Sequence, residues 1–91
     1  MVYMKAKRLS DDAIPTEIGE YTIVLCDGKP NPVIILPCGD RFMPQNKWDM
    51  TDIEDETKIT LSPSIFCHHE NRPGSGNSWH GFLQNGEFVT V

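Results

Sequence analysis

The chain has 91 residues, of which 38% are hydrophobic, and carries a net charge of −5 at pH 7. That length suits one domain, and the acidic balance disfavours direct contact with nucleic-acid phosphate. No apolar run approaches the ~20 residues needed to cross a bilayer, and the start lacks the apolar stretch of a secretion signal, so a cytoplasmic protein is expected.

The first residues alternate: Val2, Met4, Ala6 and Leu9 interleave with Lys5, Lys7 and Arg8. This pattern predicts one half-buried strand with its basic residues on the solvated face. Ser10 to Gly19 has room for only a helical turn or two, because Pro15 and Gly19 limit what a cap at Ser10 can start. Tyr21 to Cys26 is rich in β-branched and aromatic residues and stops at Asp27-Gly28, so it reads as a strand. Val33 to Leu36 reads as a second strand, buried on both faces and paired with the first across a loop from Cys26 to Pro32. Arg41-Phe42-Met43 is a further short strand. Lys47 to Glu56 could hold a helical turn. Lys58 to Leu61 alternates so that Ile59 and Leu61 share one face.

In Leu61-Ser62-Pro63-Ser64-Ile65, the proline should end the ladder or sit at an edge or bulge, since it cannot donate a backbone hydrogen bond. Asn71 to Ser78 is rich in glycine, serine and asparagine and reads as a mobile loop, with about 70–78 as its bounds. The firmest local signal closes the chain: Asn85-Gly86 between apolar Phe82-Leu83 and Phe88-Val89 predicts a type I′ hairpin of strands near 80–84 and 87–91. The expected fold is therefore mainly β: a small single domain, residues 1–91, of short antiparallel strands with a C-terminal hairpin and little helix. Trp48 and Trp79 read first as lids on its core.

Two ordered motifs, Thr60-Leu61-Ser62-Pro63-Ser64-Ile65 and Trp79-His80-Gly81-Phe82-Leu83-Gln84-Asn85-Gly86, together with Cys38-Gly39, cover roughly residues 33–91. They resemble those of a small family of unknown function found in bacteriophage and bacterial genomes. The resemblance implies a phage origin, a β-rich fold and, in many relatives, a metal site of cysteine and histidine. By position Cys38 and His80 would be the first ligands, with Cys67 and His68 or His69 completing a Cys₂His₂ zinc set. No Cys-x-x-Cys knuckle is present, and Trp79 stands where many relatives have cysteine. Three cysteines at wide spacing are otherwise expected to be reduced thiols, with Cys38 and Cys67 packing as small hydrophobes.

A catalytic reading pairs Cys67 with His80, has Glu70 orient the imidazole, and leaves Ser64 as another hydroxyl. Nothing in the sequence fixes contact among these residues, so no catalytic residue is assigned and the reading leans away from an enzyme. No cofactor is expected beyond zinc. The favoured function is that of a small acidic phage-type protein that binds another protein and modulates or inhibits a host factor, in the host cytoplasm if phage-encoded. Asp49, Asp52, Glu54, Asp55 and Glu56, all within eight residues, would steer toward a basic partner, and Trp79 would add an apolar contact. The alternative is a zinc-supported domain with a structural or hydrolytic role. Oligomerisation stays open through pairing of the last strand.

Overall fold

A computed structural model describes residues 2–68 and 78–91 as nine strands and one turn of 3-10 helix. The strands are β1 (Val2–Lys5), β2 (Lys7–Arg8), β3 (Glu20–Cys26), β4 (Lys29–Ile35), β5 (Arg41–Phe42), β6 (Asp49–Thr51), β7 (Thr60–His68), β8 (Ser78–Gln84) and β9 (Glu87–Thr90). They form a five-stranded sheet in the order β1-β9-β8-β7-β6 and a four-stranded sheet in the order β2-β3-β4-β5. All pairings are antiparallel except that of β2 with β3. The expected β-rich architecture is the observed one.

The N-terminal alternation is not one strand but two, in different sheets. The chain crosses at Ala6, which is buried; its N–H donates to the Gly86 carbonyl in one sheet, and that of Lys7 donates to Gly19 beside the other. The expected last strand lies inside its sheet, since β1 pairs along its outer side.

The β3–β4 hairpin is tighter than the predicted loop from Cys26 to Pro32. Asp27 and Gly28 both take positive φ, 53° and 77°, so the two strands meet already at Cys26 and Lys29. Pro30 and Pro32 consequently lie within β4. They are tolerated there because the Tyr21 carbonyl accepts from Leu9, outside the pair with β4. The alternation of antiparallel pairs then makes Ile23 with Pro32 and Leu25 with Pro30 the pairs that exchange no ladder bonds. The stretches 10–19 and 47–56, which had room for a helical turn, form no α-helix. The one 3-10 turn is Gln45–Lys47, and Asp49–Thr51 is strand instead, paired with β7.

The C-terminal hairpin forms as predicted, with Asn85 and Gly86 at φ 49° and 75°. Its tip docks: the Gly86 N–H donates to the Ile59 carbonyl and the Asn85 N–H to the Thr60 hydroxyl. Both sheets feed one core, with Tyr21, Ile34 and Leu36 from one side and Ile59, Leu61, Ile65, Leu83 and Phe88 from the other. Burial of apolar area on this scale is the main stabilising term. Cys38 and Cys67 join the core as a disulfide, which corrects the expectation of reduced thiols at these two positions; Cys26 remains a free thiol. The wide spacing misled because β4 and β7 belong to different sheets whose inner faces meet. Among the described residues no helix is long and apolar enough to cross a membrane. The predicted mobile loop falls almost wholly outside the described residues.

Candidate active site

β7 continues through Pro63, and the irregularity the proline demands becomes a bulge. Leu61 pairs with Leu83 and Ile65 with Gly81, so Ser62, Pro63 and Ser64 stand against Phe82 alone. Three contacts hold this bulge in place. Ser62 pairs with Asp49 of β6, the Trp48 indole N–H donates to the Pro63 carbonyl at 3.1 Å, and Ile65 re-enters the ladder with β8. Trp48 is itself steadied by Phe42, whose ring packs edge-on against it with centroids 4.9 Å apart. Bulges commonly re-aim a side chain at a functional position.

Past the bulge the strand period sorts the side chains. Ile65 and Cys67 turn into the core, whereas Ser64 is half-buried and Phe66 is 65% exposed. On β8 the same alternation buries Trp79 and exposes His80, which stands opposite Phe66. Ser64 and His80 thus meet as a diagonal cross-strand pair, with Oγ 3.1 Å from Nε2. When the imidazole carries its proton on Nδ1, the serine hydroxyl donates to Nε2. That is the contact through which a general base activates a hydroxyl nucleophile. The Phe66 ring lies against the imidazole, with centroids 5.7 Å apart at an interplanar angle of 75°.

Gly81, next to His80, is required by packing. A Cβ there would collide with the Val89 carbonyl and with the Trp79 ring, which lies across the glycine. Trp79 is anchored in turn by its indole N–H to the Thr90 hydroxyl at 3.1 Å and by edge-on packing against Phe88. The tryptophan next to His80 in sequence therefore supports β8 from the core side.

The other sequence-derived candidates separate. Cys67 is bonded to Cys38 and faces the core, so it offers no thiolate to His80 and neither cysteine offers a zinc ligand. Among the described residues no group of three His, Cys, Asp or Glu could hold a metal. His68 ends β7, and His69 and Glu70 lie outside the described residues. Trp79 is 7% exposed, so it belongs to the core and not to a recognition surface.

Of the acidic run, Asp49, Asp52, Glu54, Asp55 and Glu56 are all exposed. Two of them have work inside the chain: Asp55 accepts from the Thr57 hydroxyl and N–H, and Glu56 accepts from the Arg8 N–H at 3.1 Å. The hydroxyl and N–H of Thr57 hold the Asp55 carboxyl below the usual aspartate range. Sequence reading named Ser64 and His80 without pairing them. The available signal was that two consecutive strands joined by a polar loop pair antiparallel, which brings the residues after Pro63 toward those after Trp79.

A family model described as "Bacterial ubiquitination-like system serine protease (BubE)" matches residues 4–91. No curated protein and no solved structure matches the chain. The family match overturns the expectation of a phage-type acidic binder that modulates a host factor, and with the cysteine pairing it removes the zinc-supported alternative.

Proposed function

The chain belongs to the family of bacterial ubiquitination-like system serine proteases, and from that premise we propose that it is a serine peptidase with Ser64 as nucleophile and His80 as general base. The observation that carries the reading is the 3.1 Å approach of Ser64 Oγ to His80 Nε2 on an exposed sheet face. Ser64 Oγ attacks the scissile carbonyl and its proton passes to Nε2. The tetrahedral adduct collapses with cleavage of the C–N bond, and His80 returns the proton to the departing amine. Water, deprotonated by the same nitrogen, then releases the acyl group as a carboxylic acid and restores the serine. The substrate is a protein partner in a ubiquitination-like system, cleaved at a peptide bond that an exposed site on a small domain can reach.

The test is covalent labelling by a fluorophosphonate probe together with hydrolysis of p-nitrophenyl acetate. Ser64→Ala abolishes labelling, and His80→Ala slows both reactions by about a thousandfold or more, with circular dichroism unchanged. Labelling of Ser64→Ala at the wild-type rate would overturn the assignment.

A further inference from the structure

We infer that Trp48 is a positioning residue of this site: its indole N–H fixes the peptide unit that leads into Ser64 and so aims the hydroxyl at His80. The inference rests on Ser64 and His80 being the reactive pair. At the bulge, Phe82 of β8 stands opposite Ser62, Pro63 and Ser64. The His80 carbonyl accepts from the Val91 N–H just past β9, and two-residue alternation turns the backbone groups of Phe82 the same way, away from β7. Phe82 therefore offers the bulge no donor. On the other flank β6 reaches no further than Asp49, which pairs with Ser62. The Pro63 carbonyl is left to Trp48, the residue before β6, whose indole N–H donates to it at 3.1 Å.

The Pro63 carbonyl and the Ser64 nitrogen belong to one planar peptide unit. Holding the oxygen sets the plane from which the Ser64 Cα–Cβ bond departs, while the return of Ile65 to the ladder opposite Gly81 holds the residue from its other side. Trp48 can serve as a fixed post because it packs edge-on with Phe42, and both rings lie against the core. Its hydrogen bond matters more to aim than to stability. Pro63 is exposed, so water would take the place of a lost indole donor at little cost to the fold. Water sets no direction, however, and a hydroxyl that must stay 3.1 Å from its base loses rate on a small displacement.

Hydrolysis of p-nitrophenyl acetate tests this, with rates referred to the sites that a fluorophosphonate probe labels at completion, so that unfolded molecules do not count. Trp48→Phe keeps a ring against Phe42 but has no N–H. It lowers kcat per labelled site by about tenfold or more, leaves KM within about twofold, and lowers the melting temperature by no more than about 8 °C. Replacement of Trp48 alone by benzothienylalanine, which keeps the indole shape with sulfur in place of N–H, gives the same loss of kcat without altering the packing. A wild-type kcat per labelled site in the benzothienylalanine variant would overturn the inference, because shape alone would then suffice. A fall that comes only from fewer labelled sites would overturn it too, since that marks a residue serving the fold alone. Ester hydrolysis at the wild-type rate by Ser64→Ala is a separate result: it would remove the reactive pair itself, and the positioning role with it.

Discussion

Tyr21 carries a hydroxyl into the core, where the oxygen meets no hydrogen-bond partner among the described residues, and the residue has no exposed surface. Burial disfavours the phenolate and pushes the pKa up to about 12 from 10.0, with the nearby Arg8 acting in the opposite direction. The folded value lies above the unfolded one. The contribution to stability is therefore fully present below pH 10 and is lost as pH rises toward about 12. Tyr21→Phe removes both the unpaired hydroxyl and the titration. Because an unsatisfied buried group costs about 1–3 kcal/mol, the variant should be neutral to modestly stabilising at pH 7. Its urea midpoint should also hold steady where that of the wild type declines above pH 10. A loss of about 2 kcal/mol at neutral pH would mean that the hydroxyl has a partner.

The two hairpin turns have nearly the same backbone and different surroundings, which separates local strain from docking. Gly28 and Gly86 have φ of 77° and 75°, but a Cβ at Gly28 meets nothing within 4 Å, whereas one at Gly86 collides with the Glu56 carbonyl and presses on Thr57. Gly28→Ala should cost only the left-handed strain, about 1 kcal/mol. Gly86→Ala adds overpacking against backbone and should cost about 2–4 kcal/mol in chemical denaturation. Equal costs would show that the tip of the β8–β9 hairpin is not seated on residues 56–60. The Asn85-Gly86 turn was legible because its chemistry is local. The Asp27-Gly28 turn carried a similar signal but was hidden by Pro30 and Pro32, which argued against strand. Their place in pairs that exchange no ladder bonds depends on β2 lying on the other side of β3, and no local pattern encodes that. For the same reason Asp49–Thr51, where the sequence left room for a helical turn, is strand: β7 supplies its partner from a distance.

At the scale of the molecule, the site was half legible. Ser64 and His80 are 16 residues apart in sequence, and only the register of β7 on β8, set by the three-residue bulge at Pro63, brings oxygen to nitrogen. The cysteines posed the same difficulty, because their pairing depends on how two sheets stack and not on spacing. Cys38 follows β4 and Cys67 lies in β7, so the bond ties one sheet to the other, three residues beyond Ser64 on the same strand. A link across a sequence separation of 29 residues restricts the unfolded chain enough to contribute about 3–4 kcal/mol. In a domain of this size, reduction should therefore lower the melting temperature by roughly 15 °C or more. Cys38→Ser should reproduce that fall and make the melting curve insensitive to reductant, whereas Cys26→Ser should leave both the curve and its response to reductant as in the wild type. Thiol titration in denaturant gives the independent check: one reactive thiol per chain before reduction, Cys26, and three after it. Three thiols without reductant, or a melting curve that reductant does not move, would leave the two sheets held by their shared core alone.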